Sequence, residues 1–359
     1  MPRQGRLPLR DYPAERIAII KPSALGDIVH SLPVLTALRR RFPKALIAWV
    51  VNHHYEALLH GHPHLDATIP FYRGASRSGL FKAVSTYGAF IRGFRAHNFD
   101  LVIDLQGLLR SGLMTASSGA RRRVGLSTAR EGATCFYTDT VRVADFNAIH
   151  AVDRYWLVAE ALGAGDGPKT FCVPIPDAER HWAEHHLSDC PRPWLAFAVG
   201  SRWETKRWPP EHFAALARNA QESAGGTVVL VGGRDETALA QKTCKRLSGP
   251  TRDLTGKTTL PQLAAILNLA DVMVGNDTGP LHLAAALGRP VVAPFTCTKV
   301  LLNGPYGAAA NAVESRVWCQ GSYLKRCARL ECMDELTPER LWPILQGILR
   351  TWQRSSLSA

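Results

Sequence analysis

Asn276-Asp277-Thr278-Gly279-Pro280 places an amide, an acid, a hydroxyl and a glycine between the apolar run Leu269–Gly275 and a helical pattern that follows. Pro280 suits the first helical position, where a missing N–H is harmless. The unpaired N–H groups of such a helix start, with the positive end of its dipole, attract anions. Asp277 and Thr278 are placed to hold sugar or phosphate oxygens, and an ordinary capped helix is the plain alternative. Earlier in the chain, Pro22–Asp27 (PSALGD) follows the apolar run Arg16–Lys21. Asp27 there is either a helix cap or a general base, with Ser23 and Gly26 beside it. Lys206 lies in the loop Gly200–Pro210 (GSRWETKRWPP) with Ser201, Arg202 and Arg207, a set of donors and cations suited to phosphate.

Such groups act only where a rigid frame holds them. Ile28, Leu32, Leu35 and Leu38 recur at helical spacing after the first turn, and Ala45–Val51 (ALIAWVV) reads as a second strand. This is a strand–turn–helix–strand unit, the opening of a parallel sheet. A dinucleotide fingerprint is absent, since only Gly26 sits in the turn. A flexible loop is expected over Arg73–Gly79, a strand over Phe99–Asp104, and a helix over Ala148–Leu162. The Gly/Pro-rich Gly163–Asp177 is the expected linker, after which the pattern restarts at Trp194–Val199, Thr227–Val231 and the Asp277 turn. The reading is α/β: two doubly wound units, residues 1–170 and 171–337, facing a central cleft. A closing helix, 338–359, is expected to pack back toward the first domain. Gly256-Lys257-Thr258 is no phosphate-binding P-loop, because Thr251 stands where its first glycine belongs.

Composition sets the outer limits. The chain has 359 residues, 46% hydrophobic and 20% charged, room for two ordinary domains. No apolar run reaches the ~20 residues of a membrane span. The basic N-terminus lacks the apolar centre of a secretory signal, so a cytoplasmic location is expected. Net charge is +13; residues 1–165 hold 21 Lys/Arg against 12 Asp/Glu, and 166–359 hold 22 against 18. The excess in the first half points to an anionic partner. Nucleic acid is disfavoured, since aromatic and basic residues do not interleave as a stacking platform requires. Eight cysteines are expected as reduced thiols; Cys319, Cys327 and Cys332 cluster, but no CxxC pair marks zinc.

With these segments in view, the chain resembles the bacterial ADP-heptose:lipopolysaccharide heptosyltransferases, inverting glycosyltransferases of family 9 with the GT-B fold. The resemblance runs from about Arg16 to Trp352. Its carriers are Ile19–Leu35, Phe99–Ser111, Thr205–Pro209, Leu254–Leu260 and Gly275–Val292. It implies two Rossmann-like domains, an N-terminal one for the acceptor (the Kdo-lipid A core of lipopolysaccharide) and a C-terminal one for the donor, ADP-heptose.

The same resemblance gives roles to residues. Asp27 matches the proposed general base. Lys206 matches a lysine on the donor phosphates. Asp277, Thr278, Gly279 and Leu281 match the donor-binding turn, and His282 a histidine close to the donor. A ribose carboxylate falls at Asp235 or Glu236, and Ser201 is a further donor candidate. Acceptor contacts are expected from Ser23, Gly26, Arg110, Arg121 and Arg122, with Arg73, Arg77 and Arg123 as further basic candidates against a solvated-loop alternative. No Asp-x-Asp triplet occurs, so no metal cofactor is expected; Lys206 and the helix start would take its place. A peripheral position on the inner membrane surface is expected from the lipid-anchored acceptor. The alternatives are a different nucleotide sugar or acceptor, or epimerisation of a nucleotide sugar.

Overall fold

The computed structural model describes residues 7–72 and 80–357; Arg73 and Arg77 lie outside them. The chain forms two compact units, Met1–Pro174 and Ile175–Ala359, with the boundary inside the expected Gly/Pro-rich segment.

The first unit runs β1 (Arg16–Ile20), α1 (Leu25–Arg41), β2 (Leu46–Asn52), α2 (His53–Glu56), β3 (Ala67–Phe71), α3 (Leu80–Ala96), β4 (Leu101–Asp104), α4 (Leu109–Ser117), β5 (Arg122–Leu126), β6 (Asp139–Val141) and α5 (Ala151–Ala161). Its strands form one parallel sheet in the order β3-β2-β1-β4-β5-β6. Ile17 pairs with Ile47 on one side and Leu101 on the other. A parallel sheet covered on both faces needs strands apolar throughout, and RIAII, LIAWVVN and LVID are such runs. The α1 residues Ile28, Leu32, Leu35 and Leu38 are buried as their spacing predicts. On α5, Val152, Tyr155, Val158 and Ala159 are buried too, and α5 packs on α1.

The second unit repeats the plan: α6 (Asp177–Leu187), β7 (Trp194–Ala198), α7 (Pro210–Ala224), β8 (Thr227–Leu230), α8 (Thr237–Cys244), β9 (Thr251–Asp253), α9 (Leu260–Leu269), β10 (Val272–Gly275), α10 (Gly279–Ala286), β11 (Val291–Phe295), α11 (Val300–Asn303), β12 (Ala312–Glu314), α12 (Glu331–Glu335) and α13 (Pro338–Leu357). Its sheet is also parallel, ordered β12-β11-β10-β7-β8-β9. In both sheets the strand order reverses beside the first strand, between β1 and β4 and between β7 and β10. Loops diverge at such a switch point, leaving a crevice at the strands' carboxyl ends.

Within the second unit α13 packs on α7 and β11, because Leu341, Leu345 and Leu349, one stripe at helical spacing, complete its core.

Candidate active site

In the first unit the loops after β1 and β4 bring together residues far apart in sequence. Asp27 occupies the first turn of α1, where one carboxylate oxygen accepts the Ala24 N–H at 3.1 Å. It is therefore a helix-start acid, and its side chain still keeps 42% exposure. Behind it lies Lys21, almost wholly buried. The Lys21 ammonium donates to the Leu105 carbonyl at 3.1 Å and the Tyr155 hydroxyl at 2.8 Å, and sits 3.8 Å from Asp27 Oδ1. The Tyr155 hydroxyl in turn donates to Asp27 Oδ1 at 3.3 Å. Burial alone would depress the lysine, but Asp27, Tyr155 and Asp104 outweigh it and hold Lys21 above its ordinary pKa.

Asp104, at the end of β4, is buried and raised by desolvation. It is partly offset by hydrogen bonds from the Gly107 and Gln106 amides at 3.0 and 2.9 Å and from the Tyr137 hydroxyl at 2.8 Å. Burial and the adjacent Asp104 push Tyr137 up, so it stays a donor. Sequence reading missed Lys21, Tyr155 and Asp104. Lys21 and Asp104 each end an apolar strand at the switch point, and that position was the available signal.

A cavity of about 500 Å³ opens beside this network at the carboxyl ends of β1 to β4. Ser23, Asn52, Phe71, Gln106 and Arg110 line it. The Arg110 guanidinium lies 5.8 Å from the Phe71 ring and is exposed. Ser23 and Arg110 thus meet at one cavity, with Gly26 in the adjoining turn of α1. Arg122, expected at the same site, is elsewhere. It opens β5 at the opposite, amino end of the sheet and is 4% exposed. Its guanidinium donates to the Leu7 carbonyl at 2.9 Å and sits 3.4 Å from Asp139. Arg123 donates to the Phe136 and Ala120 carbonyls. These two arginines hold chain to chain. Arg121, next to them, is exposed at that same amino edge.

In the second unit the site gathers around Asp277. Its Oδ2 lies 2.6 Å from Lys206 Nζ and accepts the Thr298 hydroxyl at 2.7 Å, and its Oδ1 lies 3.0 Å from His282 Nε2. Asp277 and His282 are buried and the Lys206 side chain is 16% exposed. Burial alone would raise the carboxyl, but the Lys206 ammonium and the His282 contact hold it well below the usual carboxylate range. Its two oxygens hold Lys206, His282 and Thr298 together.

Asn276 supports this arrangement. It is fully buried, donates to the Val199 and Gly200 carbonyls at 3.0 and 3.2 Å, and accepts the Trp208 amide at 3.1 Å. It ties the loop after β7, which carries Ser201 and Lys206, to the loop after β10. Ser201 is buried at the head of that loop, and the Arg207 guanidinium donates to its carbonyl at 2.6 Å. Arg202 is exposed nearby. Thr278 stands at the N-cap position of α10 with its hydroxyl turned to the Asn276 carbonyl at 3.3 Å, Gly279 and Pro280 open the helix, and Leu281 is buried in its first turn.

The two carboxylates after β8 separate. Asp235 is exposed, whereas Glu236 folds back over the loops, its Oε2 accepting the Gly233 amide at 2.9 Å. A Cβ added at Gly200 would come within 2.2 Å of its Cδ. Desolvation pushes Glu236 up, opposed by the Gly233 amide and Arg207. Glu236 is the carboxylate that faces the loop after β7.

All eight cysteines are free thiols. Burial and the nearby thiols of Cys319, Cys297 and Cys327 push Cys332 up to about 11. Metal-ligand spacing occurs elsewhere: the ligand atoms of His62, His64 and Cys172 all lie within 4.8 Å of one another. The nitrogens of His62 are already engaged, one 3.0 Å from the Cys172 carbonyl and the other accepting the His64 amide at 3.1 Å, so the group reads as a hydrogen-bonded clasp.

Two six-stranded parallel units, each with its polar residues gathered at the switch point, define the GT-B class of glycosyltransferases. The chain belongs to glycosyltransferase family 9 (heptosyltransferase), which it matches over residues 87–333. It is similar to lipopolysaccharide heptosyltransferase 1 of Pseudomonas aeruginosa, with 30% identity over 93% of this chain and 98% of that one. It is also similar to lipopolysaccharide heptosyltransferase 1 of Escherichia coli K12, with 29% identity over 81% and 91%. Among solved structures, E. coli heptosyltransferase WaaC with ADP superposes with a TM-score of 0.73 at 27% identity, covering 93% of this chain and 99% of that one.

Proposed function

We propose that this glycosyltransferase moves heptose from ADP-L-glycero-D-manno-heptose to the Kdo-lipid A inner core, with inversion at the sugar. The observation that carries the reading is Asp27, a half-exposed carboxylate in the first turn of α1 beside a buried ammonium. In the reaction Asp27 takes the proton of an acceptor hydroxyl. The freed oxygen bonds to the anomeric carbon, and the bond from that carbon to the diphosphate breaks, releasing ADP. Lys206 meets the charge developing on the diphosphate, and Glu236 holds the ribose hydroxyls. The absence of an Asp-x-Asp triplet supports a reaction without a metal cofactor, Lys206 and the start of α10 supplying the positive field.

Mass spectrometry of the products from ADP-heptose and defined Kdo-lipid A tests this. Expected are ADP and a heptosylated acceptor, no turnover with Asp27→Ala, and ADP-heptose binding retained in that variant. A modified free sugar nucleotide as sole product would sink the transferase assignment.

A cytoplasmic position on the inner membrane surface is part of the proposal. Among the described residues no helix is long and apolar enough to cross a membrane. The segment Arg316–Arg329 holds four basic and no acidic residues. Within it Trp318 is 80% exposed, and Tyr323 and Leu324 are exposed too. Tyr323 bonds Asn303 at 2.6 Å, joining the segment to α11 with its exposed Leu301. Cations around exposed aromatic and aliphatic side chains suit an anionic bilayer. Sedimentation with phosphatidylethanolamine/phosphatidylglycerol vesicles should show salt-sensitive binding that Lys325→Glu/Arg326→Glu and Trp318→Ala each weaken. Equal binding by all three proteins would exclude this patch.

A further inference from the structure

We propose that Lys21 and Tyr155 are positioning residues for Asp27: the buried ammonium holds the Tyr155 hydroxyl in place, and that hydroxyl fixes the direction of Asp27 Oδ1. The proposal rests on the reading of Asp27 as the base.

The geometry is specific. Lys21 is buried at the end of β1, with Nζ 2.8 Å from the Tyr155 hydroxyl, 3.1 Å from the Leu105 carbonyl and 3.8 Å from Asp27 Oδ1. Burying an ammonium is costly unless it is paired and hydrogen-bonded. The Tyr155 hydroxyl accepts from Lys21 and donates its own hydrogen to Asp27 at 3.3 Å. With Oδ1 held by Tyr155 and Oδ2 accepting the Ala24 amide, the carboxylate is fixed on two sides while remaining half-exposed.

Other titratable and charged groups surround this set. Asp104, at the end of β4, adds a second negative charge facing Lys21 and is itself bonded to Tyr137. His30 on α1 and His150 at the start of α5 meet ring to ring at 5.3 Å, and the Arg154 guanidinium lies 5.6 Å over the Tyr155 ring. Asp104 and Tyr137 do not touch Asp27, so Lys21 and Tyr155 are the groups through which this network reaches it.

A base acts only when its oxygen points at the proton it takes, so a carboxylate free to turn slows proton transfer while donor binding is untouched.

The test is the split between kcat and the KM for ADP-heptose in Lys21→Met and Tyr155→Phe of the full chain, with ADP binding as the check of folding. Each variant should lower kcat about ten-fold with the KM for ADP-heptose unchanged. A purely structural role would weaken ADP binding and lower Tm along with kcat. If Lys21→Met does not fold, Tyr155→Phe decides, since it removes one hydroxyl and keeps the ring. Unchanged kcat, alongside an inactive Asp27→Asn, would overturn the positioning role and leave the base reading standing. Full activity of Asp27→Asn would remove the base reading and this proposal with it.

Discussion

The Lys206 ammonium lies 2.6 Å from Oδ2 of Asp277, joining the loop after β7 to the loop after β10. The pair is buried on the acid's side, and the acid also holds His282 and Thr298. Breaking it leaves a nearly buried cation with no carboxylate, only the Asp277 carbonyl at 3.3 Å and the Trp203 ring at 4.7 Å. Asp277→Ala is therefore expected to destabilise the protein by ~3–5 kcal/mol, and adding Lys206→Met should recover part of the loss. Denaturant unfolding of the two single variants and the double variant measures the coupling. Lys206→Ala alone should lower kcat about a hundred-fold or more. The carboxyl is depressed in the folded state, so its contribution is complete above the unfolded value of ~3.9 and is lost as pH falls toward the lower folded value.

Gly200 and Glu236 form a second testable pair. A methyl group at Gly200 would sit 2.2 Å from Glu236 Cδ. The flexible glutamate must swing away, while the backbone can stay. Gly200→Ala should then raise the KM for ADP-heptose about ten-fold, in the same direction as Glu236→Ala, with little change in Tm. A normal KM in Gly200→Ala with a raised KM in Glu236→Ala would show that Glu236 finds another path to the ribose.

Arg122 and Arg110 should separate cleanly. Arg122 is buried and bonded to the Leu7 carbonyl and Asp139. Arg122→Ala is expected to cost about 1.5–3 kcal/mol of stability with the acceptor KM unchanged in the folded fraction. Arg110, exposed at the mouth of the cavity, should do the reverse: Arg110→Ala raises the acceptor KM several-fold at unchanged Tm. Thermal melts paired with acceptor titrations check both.

His62 predicts a pH effect on stability. Burial lowers its pKa to about 4, against the bond to the Cys172 carbonyl. The unfolded chain takes up a proton near the ordinary ~6.5, and the folded chain resists until about 4. Stability from a neutral His62 is therefore full above pH ~6.5 and falls between there and pH 4, by about 3 kcal/mol in all. In His62→Gln the unfolding free energy should be flatter over that range. An unchanged slope would place the acid sensitivity elsewhere.

Local sequence determined a good deal of this protein. Unbroken apolar strands such as LIAWVV demand a sheet covered on both faces, and Ile28, Leu32, Leu35 and Leu38 demand a helix lying on it. Asp27 in the first turn of α1 and Gly279-Pro280 opening α10 were legible because caps and turns depend on neighbours in the chain. Tertiary structure alone decided what those residues touch. The partner of Asp27 is 128 residues away at Tyr155, and that of Asp277 is 71 residues away at Lys206; no local rule specifies such pairs. For the same reason the run Arg121–Arg123 looked like one basic patch. Entry into β5 buries Arg122, while Arg121 in the turn before the strand stays exposed, and sheet direction puts both at the end opposite the cavity. Hydrophobic periodicity told α13 to bury a leucine stripe, but which surface it covers depended on where the second sheet left its core open.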